Sequence, residues 1–268
     1  MPFDMERIAI IGAGNLGVAI ARGMVSKGIK EARDITLTRR NPATLEEFSV
    51  EGYAVNTNNA EAVRSANLVI LCVQPKQLPG VLGEISGSLH EDHVLVSVIT
   101  GVSREEIKNH LSANCSVIRA MPNTAIAIAE SMTCISSNDV NPQVLEQVGR
   151  IFKSLGDVQI IDENMMKAAT VLGASGIAFF MRYLRAATQG GIQMGFHPEE
   201  AQKIAVQTAK GAAGLIIENA NHPEVEIDKV TTPQGCTIAG LNEMEHQGFS
   251  SSLIKGLMTS YEKINSIK

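Results

Sequence analysis

The sequence has no long apolar run, no surplus of basic residues and no closely spaced cysteines. Each absence removes a class of function. No stretch approaches the roughly 18 apolar residues that a membrane span needs, so no membrane partner is expected. Lys and Arg number 23 against 28 Asp and Glu, a net charge of −5. A nucleic-acid binder needs a basic face to displace counterions, so no nucleic-acid partner is expected either. The start carries Asp4 and Glu6 and lacks a basic segment leading into an apolar one, which speaks against a secretory leader. Cys72, Cys115, Cys134 and Cys236 form no Cys-x-x-Cys pair. Neither zinc nor a disulfide frame is implied, and a reducing, cytoplasmic setting is expected. The one close histidine pair, His90 and His93 in H-E-D-H, reads as a solvated turn, and no metal site is expected. There is no 20–50-residue repeat and no low-complexity tract.

What is present is a core-building chain of 268 residues, 44% apolar and 19% charged, long enough for two domains. Its first part alternates apolar β-rich runs at 7–11, 34–38, 68–73, 94–98 and 116–119 with helical patterns at 18–26, 44–51, 60–65 and 104–111. That alternation predicts an α/β N-terminal domain with a Rossmann-like, doubly wound, mostly parallel sheet over 1–162. After about residue 162 the texture becomes Ala-, Met-, Gln- and Glu-rich. Helices are predicted at 165–172, 177–194, 198–219, 238–247 and 250–264, giving an all-α C-terminal domain over 163–268. The helix at 177–194 is apolar around much of its circumference, so dimerisation through this domain is expected.

G-A-G-N-L-G follows the first strand and opens a helix. In that context the pattern points to a dinucleotide. Gly12 permits the tight turn, Gly14 lets the backbone approach a pyrophosphate, and Gly17 allows close helix–strand packing. Ile11, Gly12, Ala13, Gly14, Asn15, Leu16 and Gly17 are therefore candidate cofactor residues, with the helix N-terminus facing the anion. A nicotinamide coenzyme with an unmodified ribose usually meets an acidic residue about 20 positions on. Here the second strand ends in Thr38, Arg39, Arg40 and Asn41. The two arginines can hold a 2′-phosphate by charge-assisted hydrogen bonds, so NADP is expected over NAD; the alternative is that both are merely solvated. Val73, Gln74 and Pro75 end one later strand, and Ile99 and Thr100 another. Strand carboxyl ends border the ligand crevice, so these five are expected on the nicotinamide side.

Two further segments, I-R-A-M-P-N-T at 118–124 and V-T-T-P-Q-G-C-T-I-A-G-L-N-E-M-E at 230–245, complete a pattern. With the glycine loop and the two-domain layout, the chain resembles the pyrroline-5-carboxylate reductase family over nearly its whole length. The resemblance implies reduction of 1-pyrroline-5-carboxylate to L-proline with NAD(P)H, the last step of proline biosynthesis. It also implies that Asn59, after the third strand, contacts the cofactor, and that Glu163 is a substrate-side acid. Pro233, Gly235 and Thr237 match the family's Pro-Gly-Gly-x-Thr signature. The resemblance places the substrate carboxylate on the backbone amides of Cys236 and Thr237, with the Thr237 hydroxyl towards the ring nitrogen. The chain departs from the family at several points. Gln234 stands for the signature's first Gly and Cys236 for Ala or Thr. Gln74-Pro75 replaces Lys-Pro, Ala125 replaces Pro, and G-A-S-G-I at 173–177 replaces S-G-S-G-P. Gln234 restricts the loop if its backbone needs a positive φ.

Reduction of a protonated cyclic imine asks little of the protein beyond placement, because the coenzyme carries the reactive chemistry. Thr237 is the candidate catalytic residue, with Glu163, Gly235 and Cys236 beside it on the substrate. The alternative for Thr237 is a helix N-cap. Two rival functions remain at this stage. A β-hydroxyacid-type NADP dehydrogenase would need a lysine base on the 177–194 helix, which has Arg182 and Arg185 instead. A non-catalytic NADP-binding protein would bind without turnover. The favoured reading asks residues 12–17 and 233–237 to converge on one crevice, completed by a neighbouring subunit.

Overall fold

The computed structural model describes residues 5–137 and 140–264. The chain folds into two units. The first runs through Ser175 and is rejoined at Tyr261, and the second is Gly176–Ser260.

The first unit contains β1 (Ile8–Ile11), α1 (Asn15–Ser26), β2 (Ile35–Thr38), α2 (Glu46–Val50), β3 (Ala54–Asn56), α3 (Asn59–Arg64), β4 (Leu68–Leu71) and α4 (Leu78–Ile85). It continues with β5 (Val94–Ser97), α5 (Arg104–Lys108), β6 (Ser116–Met121), β7 (Ser131–Ser136), α6 (Pro142–Lys153), β8 (Gly156–Ile160) and α7 (Met166–Ala169). The strands form one sheet in the order β3-β2-β1-β4-β5-β6-β7-β8. β7 runs antiparallel to β6, and the other neighbours are parallel. The strand period of two divides the core between two faces. Ile8, Ile10, Leu68, Ile70, Val94 and Val96 point to one side with Ile20, Met24 and Phe152. Ala9, Ile11, Val69, Leu71 and Leu95 point to the other with Val63, Leu82 and Ile107. Burial on both faces is why these strands read as unbroken apolar runs.

His93 corrects the solvated-turn expectation. It is 1% exposed, its Nδ1 accepts the His90 N–H at 3.0 Å, and its Nε2 lies 3.2 Å from the Val63 carbonyl. It is a core histidine that closes the turn into β5. Residues 163–175, grouped with the helical domain in the sequence reading, pack with the sheet unit. Met166 is fully buried, Thr170 and Val171 nearly so, and 170–175 form a π-helical stretch.

The second unit is helical: α8 (Gly176–Gln193), α9 (Pro198–Asn219), α10 (Pro223–Val230), α11 (Cys236–His246) and α12 (Phe249–Ile264), which leaves the unit at Tyr261. Pro198 occupies the first turn of α9, and Glu200 accepts the His197 N–H at 3.2 Å, a start signal legible in the sequence. A Cβ at Gly191 would sit 2.8 Å from Ala201 Cβ, so glycine permits α8 and α9 to approach. Phe180, Met181, Ile217, Ile254 and Met258 are each more than half exposed. No helix among the described residues is long and apolar enough to cross a membrane.

Candidate active site

β1 hands the chain to α1 through the glycine loop. Gly12 has φ +96°, and a Cβ there would meet Val73 Cγ1 at 2.7 Å and the Cys72 carbonyl at 2.9 Å. A Cβ at Gly17 would stand 2.6 Å from the Gly12 carbonyl oxygen. Both positions are glycine for reasons internal to the fold. Gly14 is different: a Cβ there meets nothing within 4 Å, and its φ of −77° suits any residue. The protein itself does not require glycine at 14. The bare backbone there leaves room for a ligand against the start of α1, whose first N–H groups have no side-chain cap. The loop therefore fits a dinucleotide pyrophosphate.

The end of β2 is tied to this loop. Ala13 N–H donates to the Thr38 carbonyl at 2.8 Å, and Gly12 N–H to Thr38 Oγ1 at 3.2 Å. Thr38 Oγ1 donates to Asn59 Oδ1 at 2.8 Å, and Asn59 Nδ2 donates to Glu84 Oε2 at 2.6 Å. Thr38 is 1% exposed, so it supports the loop from beneath. Arg39 Nε donates to the Ala13 carbonyl at 2.5 Å, and its guanidinium lies 5.7 Å from the Phe48 ring centre. Arg40 is exposed. The sequence-predicted residues 12–17, Thr38, Arg39, Asn59 and Val73 are thus one connected group. Ile11 and Ile99 are buried, and Ile11 offers the loop backbone only, its carbonyl accepting the Cys72 N–H at 2.8 Å. Burial pushes the Cys72 thiol up to about 12, which leaves it an inert packing group. Gln74 N–H is held by Gln77 Oε1 at 3.0 Å, fixing the turn through Pro75. Thr100 Oγ1 makes only a weak 3.9 Å contact with Met121 Sδ.

Glu163 lies in the sheet unit, where its carboxylate is already engaged. Arg119 NH1 donates to Oε1 at 2.8 Å, Arg104 N–H reaches the same oxygen at 3.4 Å, and the Ser136 hydroxyl donates to Oε2. The residue that the resemblance puts on the substrate side also joins β6, β7 and the start of α5. Ser136 and Glu84 carry no signal in the sequence, and Arg119 reads there as structural. Arg119 offered a signal, a lone charge inside an apolar β-run.

The helical unit carries the second group. Gly235 N–H donates to the Thr232 carbonyl at 2.9 Å, closing a turn with Pro233 second and Gln234 third. Gln234 has φ +58°, the conformation that a type II turn demands at this position and that favours glycine. The signature's first glycine is therefore replaced by a side chain where the backbone is left-handed. A Cβ at Gly235 would stand 2.5 Å from Thr232 Oγ1. Gly235 is the N-cap of α11 and provides no side-chain bond. Thr237 is the second helical residue, so it is not the cap, and its hydroxyl makes no hydrogen bond among the described residues. The free amides of this helix start and the Thr237 hydroxyl together can receive an anion and one further polar atom.

A mostly parallel sheet with a glycine turn leading into its first helix, followed by a helical unit, is the build of an NAD(P)-binding oxidoreductase. Residues 7–101 match the family model for NADP oxidoreductases, coenzyme F420-dependent, and residues 163–267 match the model for pyrroline-5-carboxylate reductase dimerisation. The chain is 49% identical over 97% of its length to pyrroline-5-carboxylate reductase 1 of Dictyostelium discoideum, of which it spans 49%. It is 43% identical over 96% of its length to pyrroline-5-carboxylate reductase 2 of the same organism, of which it spans 92%. A solved pyrroline carboxylate reductase of Plasmodium falciparum with NADP bound superposes with a TM-score of 0.90 at 22% identity, covering 98% of this chain and 99% of that one. The chain belongs to the pyrroline-5-carboxylate reductase family.

Proposed function

We propose that this chain reduces 1-pyrroline-5-carboxylate to L-proline, with NADPH preferred over NADH. The observation that carries the substrate side is the uncapped start of α11, whose free amides stand beside a Thr237 hydroxyl with no hydrogen-bond partner among the described residues. The amides of Cys236 and Thr237 hold the substrate carboxylate, and Gly235 keeps the turn tight. Thr237 bonds the ring nitrogen, which carries the proton of the imine. NADPH, when bound, supplies the hydride that adds to the imine carbon. The protein's share is orientation of the ring and exclusion of misaligned encounters. Gly12–Gly17, Asn59, Val73, Gln74, Pro75, Ile99 and Thr100 line the coenzyme side, and Arg39 and Arg40 take the 2′-phosphate. Glu163 stands on the substrate side, as the resemblance implies, with its carboxylate held by Arg119, Ser136 and the Arg104 N–H.

The exposed apolar side chains of the helical unit favour a homodimer or larger homo-oligomer, since a patch of this kind marks an interface. Four free cysteines suit a reducing, cytoplasmic setting.

The experiment is oxidation of NADPH by the purified protein with and without 1-pyrroline-5-carboxylate. Substrate-dependent loss of nicotinamide absorbance with L-proline as product is expected. Coenzyme binding without turnover overturns the proposal, and light scattering that reports a monomer at micromolar concentration overturns the oligomer.

A further inference from the structure

The polar chain that starts at the glycine loop ends on a carboxylate, and that end sets the direction of every bond in it. Glu84 lies in the last turn of α4 with Oε2 2.6 Å from Asn59 Nδ2. An ionised carboxylate only accepts hydrogen bonds. Asn59 must therefore turn its NH2 group to Glu84 and its carbonyl oxygen to Thr38. Thr38 Oγ1, 2.8 Å away, has to give its proton to Asn59 Oδ1. Its oxygen is then left to accept the Gly12 N–H at 3.2 Å. Without the carboxylate the Asn59 amide has no reason to prefer this orientation, because Thr38 can equally accept from an NH2 group. In the orientation held by Glu84, one N–H of Asn59 remains uncommitted among the described residues. It stands at the end of β2, next in the chain to which come Arg39 and Arg40.

We infer that Glu84 is a positioning residue for coenzyme selectivity. It holds the Asn59 amide with an N–H, rather than the carbonyl oxygen, available to the ribose edge of the dinucleotide. Phosphate oxygens only accept, so an N–H favours a 2′-phosphate. A carbonyl oxygen favours a 2′-hydroxyl and repels a phosphate. This inference rests on the NADPH reading above. It runs against simple electrostatics, by which removing a nearby carboxylate should tighten phosphate binding.

The test is titration calorimetry of the intact protein with NADPH and with NADH, without substrate, on wild type, Glu84→Ala and Glu84→Gln. In Glu84→Ala the ratio of the NADH to the NADPH dissociation constant is expected to fall about tenfold, as expected for one hydrogen bond to a charged group. Glu84→Gln, whose side-chain carbonyl can still accept from Asn59, retains most of the wild-type ratio. Melting temperatures stay at the wild-type value, since Glu84 is exposed. A Glu84→Ala ratio within twofold of wild type, tighter NADPH binding in both variants, or a Glu84→Gln protein as unselective as Glu84→Ala each overturns the inference. Wild-type protein that binds neither coenzyme, or binds NADH more tightly, overturns the coenzyme reading itself, and does so before any variant is made.

Discussion

Arg119 and Glu163, 44 positions apart, are joined by a 2.8 Å ion pair whose side chains keep 7% and 23% of their exposure. Removing the acid leaves a buried guanidinium without the carboxylate hydrogen-bonded to it. Glu163→Ala is expected to cost roughly 3 kcal/mol, the lower end of the range for breaking a buried pair, because part of Glu163 still meets water. Glu163→Gln, whose one carbonyl oxygen can still accept from Arg119 and Arg104 while its NH2 donates to the Ser136 hydroxyl, costs less. Urea unfolding measures both, and an undiminished midpoint for Glu163→Ala would remove the clamp from the fold's support.

Thr237 offers the complementary case. Its hydroxyl bonds nothing among the described residues, so Thr237→Ala should leave the melting temperature unchanged and lower turnover by about tenfold, the worth of one site hydrogen bond. Thr237→Ser keeps the hydroxyl and most of the rate. A fully active, fully stable Thr237→Ala protein would end the catalytic assignment.

Gln234 holds a left-handed backbone that glycine adopts without strain. Gln234→Gly is expected to raise stability by about 0.5–1 kcal/mol after the extra entropy of the unfolded glycine is counted. Gln234→Val, branched at Cβ, lowers it. Denaturant midpoints of the two variants should fall on opposite sides of wild type.

The two arginines after β2 separate by their partners. Arg40 is exposed, so Arg40→Ala should weaken NADPH by about tenfold, as for one charge-assisted contact, and leave NADH unaffected. Arg39 also holds the Ala13 carbonyl and rests on Phe48. Arg39→Ala should therefore weaken both coenzymes. Equal loss of NADH binding in Arg40→Ala would count against its phosphate role.

Burial holds the His93 imidazole below its usual range. The folded state thus prefers the neutral ring. Its contribution to stability is complete above the unfolded value of about 6.5 and is lost as pH falls below that towards the folded value. Stability measured from pH 8 down to 5 should decline on the acid side in wild type and decline less in His93→Gln.

Much of this architecture was legible before any coordinates. Strands buried on both faces are unbroken apolar runs, and Ile8–Ile11, Leu68–Leu71 and Val94–Ser97 lie inside their expected spans. The edge of the sheet was harder. β7 mixes Ser and Thr with apolar residues, and β8 is half exposed, so neither has a clear period. β8 begins at Gly156, where a Cβ would stand 2.0 Å from the Ser131 carbonyl oxygen, a requirement set by a strand 25 positions away. α6 was missed although Asn141 caps it, Pro142 opens it, and Val144, Val148, Ile151 and Phe152 bury one face. The glycine loop and the arginines could be read because their chemistry is local. The engagement of Glu163 could not, since it depends on Arg119 and Ser136 arriving from other strands. The consequence of Gln234 could be stated only as a condition on its φ, which the turn at Thr232–Gly235 fulfils.

The stitching of Gly12 and Ala13 to Thr38 and Arg39 has a kinetic consequence. Peptide groups fixed by three hydrogen bonds before any nucleotide arrives have little freedom left to lose on association. Complex formation should then proceed in one phase, with an observed rate that rises linearly with nucleotide concentration and shows no plateau from a slow ordering step.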